Sequence, residues 1–251
     1  MLKRAALCIA LLSALSMCAS GHAVAAHALP DGFVYLRDIE PSIVQDMQYA
    51  SARNFTGRPV PGYDASECVL KREAAEALKR AQEKARASGL SLEVYDCYRP
   101  ERAVRAFLAW AASAEDGLTK SYYPHLPKSQ LVPQYIAPQS THSTGLAVDI
   151  TLIPSAAPPG DDSSAARKDC TETGHENPAD NSLDMGTAFD CFDPKANTSS
   201  SLANAEQHKA RAILIRILEQ VGFNNYSAEW WHFTFSGTKD HRRFDFPIEP
   251  R

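Results

Sequence analysis

Two short segments hold the residues whose chemistry stands out from the rest of the chain. The first reads Ser140-Thr-His-Ser-Thr-Gly-Leu-Ala-Val-Asp149, and the second reads Glu229-Trp-Trp-His232. Together they bring two imidazoles, those of His142 and His232, and two carboxylates. Two histidines and one carboxylate fill three positions around a zinc ion and leave the fourth for water, as in catalytic zinc sites. The residue types therefore favour a catalytic metal centre.

Each of these residues also has an ordinary explanation when it is taken alone. His142 could be a hydrogen-bonded loop residue, and His232 a core histidine with a satisfied N–H. The two acids are harder to explain, because an unpaired buried carboxylate costs several kcal/mol and needs a cation or hydrogen-bond donors. Asp149 lies in an apolar segment, and Glu229 lies beside two tryptophans. One metal ion would account for all four residues.

The spacing of these residues limits how the backbone can bring them together. His142 and Asp149 are seven residues apart, so on one regular strand they would face opposite sides. A strand that begins after Gly145 would leave His142 in a turn, from which it can point back toward Asp149. Glu229 precedes a strand-like aromatic run that contains His232, so we expect it just before that strand or beside a bulge.

Helical and strand patterns surround the two segments. Residues 64–67 resemble a capping box, and apolar residues at helical spacing follow as far as Gly89. Alternation over residues 90–96 predicts a half-buried strand, and Pro100 suits the first position of a second helix. A third helix is expected to end at Gly222. The pattern predicts an α+β fold in which helices flank a small antiparallel sheet.

The N-terminal segment has the order of a secretory signal peptide. Residues 1–26 combine a basic start, a short apolar run over 5–15 and small residues before a cleavage site. That run is too short to span a bilayer. We therefore expect an exported protein, periplasmic or secreted, with a single domain at 27–251. Lipid attachment at Cys18 is the alternative.

The charge balance argues against polyanionic partners. The chain carries a formal net charge of −4, which becomes −6 once Lys3 and Arg4 leave with the signal peptide. Such a chain has no general attraction for nucleic acid or anionic lipid, and after cleavage we expect no stable membrane insertion. We expect a small substrate instead, or one that binds through local positive charge.

Four cysteines remain after the signal peptide. Their even number in an exported chain predicts two disulfides, with three pairings open. We favour Cys68–Cys97 and Cys170–Cys191, because each closes a moderate loop. A four-cysteine zinc site is the alternative, but the chain lacks a C-x-x-C pair. Residues 154–200 form a long irregular stretch, typical of a lid or insertion, that the second bridge would tether.

A family resemblance covers nearly the whole chain after the signal peptide. The pattern S-x-H-x-x-G-x-A-x-D, followed eighty residues later by E-x-W-H, resembles the D-alanyl-D-alanine dipeptidases of the vancomycin-resistance type. Further segments resemble that family in the same order, namely Met47-Gln-Tyr-Ala, Asn54-Phe-Thr-Gly, Tyr98-Arg-Pro and Met185-Gly-Thr-Ala-Phe-Asp190. The resemblance implies the Hedgehog/DD-peptidase fold.

The resemblance also implies a role for each matched residue. His142, Asp149 and His232 would bind one Zn²⁺ per chain. Glu229 would be the general base, and Arg99 would stabilise the charge of the transition state.

The implied reaction is hydrolysis of the D-Ala-D-Ala dipeptide to two D-alanines by a metal-activated water, with Ser140 helping to hold the substrate. A zinc D,D- or L,D-carboxypeptidase that trims peptidoglycan stem peptides is the first alternative. The second is a non-catalytic zinc module that binds wall fragments. The export signal, the four cysteines and an insertion around 155–180 depart from the family pattern.

Overall fold

The structure is a computed structural model that describes residues 28–156, 169–172 and 181–251. The predicted signal peptide, the alternative lipid site at Cys18 and part of the 154–200 insertion lie outside the described residues. Within the three described ranges, no helix combines the length and the apolar composition that a membrane crossing requires.

Short strands and a few helices make up the described part of the chain, which confirms the predicted α+β class. The strands are β1 (Phe33–Tyr35), β2 (Val44–Gln45), β3 (Val69–Lys71), β4 (Leu90–Asp96), β5 (Ala147–Pro154), β6 (Phe223–Asn225) and β7 (His232–Phe235). The helices are α1 (Leu36–Ile39), α2 (Arg72–Arg86), α3 (Glu101–Ala112) and α4 (Ala205–Glu219). Single 3₁₀ turns occupy Gln48–Ala50, Lys120–Tyr122, Lys128–Gln130, Thr141–Thr144 and Pro194–Ala196.

The main sheet has five strands in the order β2-β4-β5-β7-β6, and β1 and β3 form a separate antiparallel pair. Four strands of the main sheet pair antiparallel, as predicted, whereas β2 pairs parallel to β4 at one edge. Parallel neighbours need a long crossover. Here the chain passes through β3 and α2 between β2 and β4. No local sequence pattern predicts the pairing of β2 with β4.

The helix expected after residues 64–67 begins later than predicted. Val69–Lys71 forms β3 and pairs with Phe33–Tyr35, so α2 starts only at Arg72. The capping-box interpretation was wrong, because this long-range pairing overrides the local pattern. Pro100 is the N-cap of α3 rather than its first residue.

The strand over residues 90–96 has the predicted bounds but is not half-buried. Its polar members Ser91 and Glu93 are buried along with its apolar ones. Gln82 of α2 explains part of this, because its amide nitrogen donates to the Ser91 hydroxyl at 2.9 Å and its oxygen accepts from the Leu92 N–H at 2.8 Å. A covering helix thus satisfies polar groups that alternation alone would place in solvent.

The cysteines pair as predicted. One disulfide joins Cys68 to Cys97, and the other joins Cys170 to Cys191. All four residues are buried. The second bridge links the described residues 169–172 to the segment after residue 181, which places a covalent tether within the long irregular stretch.

Candidate metal centre

Register across three neighbouring strands places the key acids and one imidazole in a row. Asp149 on β5 pairs with Asp96 on β4 and with His232 on β7. Partners in register across antiparallel strands project their side chains to the same face. The sheet therefore brings together residues that lie more than eighty positions apart in sequence, as the 83-residue separation of Asp149 and His232 shows.

His142 reaches the same point from a 3₁₀ turn that precedes β5, as predicted. Ser140 caps this turn by accepting a hydrogen bond from the His142 N–H at 3.2 Å. Gly145 ends it with φ +75°, and a Cβ there would lie 2.3 Å from Cε1 of Phe33. The left-handed backbone and the close ring favour glycine at the position where the chain turns into β5.

Three ligand-type atoms converge where these elements meet. Nε2 of His142 lies 3.2 Å from Oδ1 of Asp149 and 3.0 Å from Nδ1 of His232. Nδ1 of His232 lies 3.0 Å from the same Asp149 oxygen. Tetrahedral zinc ligands at their usual bond lengths are separated by about 3.3 Å. The three atoms thus have nearly the spacing that a shared zinc ion requires.

The outer nitrogen of His142 shows which nitrogen of that ring holds a proton. Nδ1 of His142 lies 2.6 Å from the Cys97 carbonyl oxygen, which can only accept, so this nitrogen holds the proton. Nε2 of His232 contacts the hydroxyls of Thr141 at 3.2 Å and Thr234 at 3.4 Å. A lone pair on His142 therefore faces a carboxylate and a second imidazole. This electron-rich cluster fits a cation.

Burial and mutual contact set the ionisation of Asp149 and His232. Burial lowers the pKa of His232 and so favours the neutral ring that binds metal. Although burial opposes ionisation of Asp149, contacts with both histidines hold the pKa of its carboxyl below its usual range. Burial and contact thus favour a neutral His232 beside an anionic Asp149.

Arg99 adjoins this cluster at the end of β4. Its Nε donates to Asp96 Oδ2 at 2.9 Å, and its Nη2 lies 3.4 Å from Oδ2 of Asp149. The guanidinium also stacks over the rings of Tyr49 and Phe107, at 5.2 and 5.1 Å from their centroids. Burial opposes its charge, but Asp96 and other neighbours raise the pKa of Arg99 well above the ordinary value. It is a fixed cation beside the candidate metal centre.

Glu229 lies in the turn just before β7, as predicted. Its backbone N–H donates to the Tyr226 carbonyl at 3.0 Å, and its side chain lines the cavity that contains the three ligands. Among the described residues, no hydrogen bond or ion pair to its carboxylate is found. Burial raises the pKa of Glu229 well above that of an ordinary glutamate, and Asp149 and Asp190 raise it further.

The cavity above the ligands has a volume of about 450 Å³. Its polar lining includes Ser140, Arg99 and Glu229, so the residues predicted from the sequence share one space. Its other walls are largely aromatic, and they include Tyr49, Phe55, Phe107, Tyr135, Phe192 and Trp231. A concave apolar space with a few convergent polar groups is the usual form of a small-molecule site.

Asp190, the last residue of the family-like segment that begins at Met185, also lines the cavity, and the sequence pattern predicts no role for it. Its carboxyl accepts a hydrogen bond from the Tyr49 hydroxyl at 2.8 Å, and burial raises its pKa to about 8. Its backbone has φ +58°, uncommon for a residue with a side chain. The sequence signal that could have identified Asp190 is its position between Phe189 and Phe192, because a carboxylate buried in apolar surroundings needs a partner.

Comparison with known proteins shows the family of the chain. The sequence model described as D-ala-D-ala dipeptidase matches residues 30–159 and 155–248. A D-alanyl-D-alanine dipeptidase of Enterococcus faecium is 35% identical over 221 residues, 87% of this chain and 98% of the relative. One from Enterococcus faecalis (strain ATCC 700802 / V583) is 36% identical over 208 residues, 82% of this chain and 92% of the relative. Among solved structures, a vancomycin-resistance D,D-pentapeptidase variant in complex with Zn(II) aligns over 80% of this chain and 90% of that chain, at 14% identity and a TM-score of 0.39.

Proposed function

The chain belongs to the D-alanyl-D-alanine dipeptidase family of metallopeptidases, and we propose that it hydrolyses free D-Ala-D-Ala with one zinc ion held by His142, Asp149 and His232. The observation that carries the proposal is the convergence of Nε2, Oδ1 and Nδ1 of these residues within 3.2 Å of one another. Glu229 and Arg99 line the same cavity, so a base and a cation accompany the ligands.

Each group has a part in the proposed reaction. Zinc, when bound, acts as a Lewis acid that lowers the pKa of water toward about 7. Glu229 accepts the proton of the attacking water and returns it to the leaving amine, a role that its raised pKa suits. Arg99 places a fixed positive charge beside the ligands and stabilises the negative charge that develops on the carbonyl oxygen.

The polar groups at the cavity wall suit a zwitterionic dipeptide. The Ser140 oxygen accepts from the His142 N–H, which leaves the hydroxyl proton to donate to a carboxylate. Asp190 offers a buried acid that an ammonium group would ionise. A site that satisfies both ends of a free dipeptide discriminates against longer peptides, whose added residues leave one of these groups unpaired.

The direct test is a rate assay on the purified protein with free D-Ala-D-Ala, in which released D-alanine is measured. We expect turnover with one equivalent of zinc, loss of turnover after chelation and recovery when zinc is restored. L-Ala-L-Ala serves as the matched control substrate. Turnover that survives complete metal removal would contradict the proposed zinc mechanism.

A second comparison separates the alternatives. A carboxypeptidase would cleave a longer peptide that ends in D-Ala-D-Ala at least as fast as the free dipeptide, whereas a dipeptidase would strongly prefer the dipeptide. A non-catalytic zinc module would bind zinc and cleave neither. The free carboxylate of Glu229 favours an enzyme over such a module, because a fourth protein ligand would close the position that water needs.

We also propose that the chain is exported. The support is the signal-peptide pattern over residues 1–26 together with two buried disulfides, which persist in oxidising compartments. Fractionation of cells that express the full chain, compared with a chain lacking residues 1–26, tests this. The mass of the mature protein distinguishes cleavage near residue 26 from lipid attachment at Cys18.

A further inference from the structure

The chain leaves the main sheet just before it reaches the metal centre. Asp96 is the last residue of β4 in register with β5, so no ladder hydrogen bonds position the residues that follow. Other contacts hold them instead. Cys97 is bonded to Cys68, and the Tyr98 N–H donates to the Val69 carbonyl at 2.9 Å. The disulfide is thus one of the contacts that take the place of the sheet along this segment.

The segment matters because the Cys97 carbonyl orients a metal ligand. It lies 2.6 Å from Nδ1 of His142 and fixes the proton on that nitrogen, which leaves Nε2 free to face Asp149 and His232. A second hydrogen bond joins the same two segments, because the Arg99 N–H donates to the His142 carbonyl at 3.3 Å. Displacement of Cys97 would therefore let the His142 ring rotate, or let its proton move to Nε2, the nitrogen that faces Asp149 and His232.

The other half of the disulfide is itself firmly held. The Cys68 N–H donates to Oε1 of Gln45 at 2.9 Å, and its carbonyl accepts from the Leu36 N–H at 2.9 Å. Both cysteines are completely buried. The bridge therefore connects the metal centre to a rigid part of the fold.

We propose that the Cys68–Cys97 disulfide is a positioning element that raises the zinc affinity of the site by fixing the carbonyl that orients His142. The inference rests on the proposed zinc site and extends it to residues that contact neither metal nor substrate. Partners of this kind, which hold a metal-binding histidine by its second nitrogen, typically change metal affinity by about 10–100-fold when they are lost.

The chain contains a matched control in its other disulfide. Cys170–Cys191 closes a stretch of 21 residues, against 29 for Cys68–Cys97, so loop closure predicts nearly equal stabilisation of the fold by the two bridges. Cys170 contacts the Ser121 and Tyr122 carbonyls and the Ala188 N–H, none of which belongs to the three proposed ligands. Its removal tests stability without disturbing the hydrogen bonds of His142.

The experiment compares the wild type with C68A/C97A and C170A/C191A, and zinc alone is the probe. The zinc dissociation constant is measured by competition with a chromophoric chelator, at a temperature where circular dichroism shows each apo-protein folded. We expect zinc binding to weaken about 10-fold or more in C68A/C97A and by less than about twofold in C170A/C191A. Equal weakening in both variants, unchanged affinity in C68A/C97A, or free Cys68 and Cys97 thiols in the native protein would overturn the proposal.

A wild-type measurement covers the case in which C68A/C97A does not fold. Coupling is reciprocal, so zinc must favour the oxidised Cys68–Cys97 pair by the same factor. The protein is equilibrated in a dithiothreitol redox buffer at two clamped free-zinc levels, and alkylation with mass spectrometry reads each disulfide. We expect zinc to shift the reduction midpoint of Cys68–Cys97 alone, and equal shifts for both bridges would refute the proposal.

The outcomes also separate this inference from the proposed function. If the wild type binds no zinc, or if H142A binds it equally well, the zinc site itself is wrong. If the wild type binds zinc through His142 and all disulfide variants bind it alike, only the positioning role fails.

Discussion

Replacement of Glu229 by glutamine tests both the proposed base and the electrostatics of the cavity. Burial is the main reason that the pKa of this glutamate lies well above its ordinary value, and the nearby carboxyls of Asp149 and Asp190 add to it. Glutamine keeps the size and shape of the side chain but cannot ionise or accept a proton. The variant should therefore bind zinc normally, lose turnover and change the pH dependence of stability.

The sign of the stability effect follows from proton linkage. In the apo-protein, folding raises the pKa of Glu229, so the folded state holds its proton more tightly than the unfolded state. Between the unfolded pKa of about 4.5 and the folded pKa, each rise of one pH unit therefore lowers the free energy of unfolding of the wild type by up to about 1.4 kcal/mol relative to the variant. Below pH of about 4 this difference vanishes, and above the folded pKa it levels off. Apo-E229Q should be the more stable protein at neutral pH.

The assay is urea unfolding in the presence of chelator, from about pH 4 to about pH 8, on the wild type and E229Q. E83Q is the matched control, because Glu83 is exposed on α2. In parallel, zinc content and D-Ala-D-Ala turnover are measured, and we expect one zinc per chain with a rate lowered by about 10²–10⁴. A stability difference that is independent of pH would refute the electrostatic reasoning, and a near-normal rate would refute the assignment of the base.

Three further substitutions probe the ligands, the cation and the turn. H142A should lose zinc and turnover together while the protein stays folded, which metal analysis after gel filtration checks; retained stoichiometric zinc would contradict the ligand assignment. R99K should keep zinc but lower kcat by about 10²–10³, because lysine cannot reproduce the forked contact with two carboxylates. Steady-state kinetics with metal analysis tests this, and an unchanged kcat would remove Arg99 from the mechanism. G145A should lower the free energy of unfolding by about 2 kcal/mol or more, because its backbone is left-handed and its Cβ would clash with Phe33. Urea unfolding measures the loss, and a stability equal to the wild type would show that the turn relaxes freely.

Local pattern predicted those parts of the fold that depend on neighbouring residues. The strand over 90–96 and the strand after Gly145 have the predicted positions, because alternation and turn residues lie within each segment. The position of His142 in a turn also followed from local spacing. The disulfide pairing followed from loop length and the even number of cysteines.

Pairing between distant segments could not be predicted in this way. β3 displaced the start of the predicted helix because Val69–Lys71 finds its partner in Phe33–Tyr35, more than thirty residues earlier. The parallel edge strand β2 has two residues, too few to show any period. Asp190 lines the cavity and itself has a left-handed backbone conformation, which an aspartate side chain does not require.

The candidate metal centre shows the same difference between what the sequence predicts locally and what the folded chain decides. The motifs named both histidines, but they treat them alike, whereas His142 presents Nε2 to the cluster and His232 presents Nδ1. For His142 this choice follows from the Cys97 carbonyl, 45 residues away, and the outer nitrogen of His232 contacts the Thr141 hydroxyl, 91 residues away. The local sequence pattern can thus predict which residue is a ligand. The orientation of that residue depends on contacts that exist only in the folded chain. The orienting groups are therefore the part of the site that a spacing rule cannot supply.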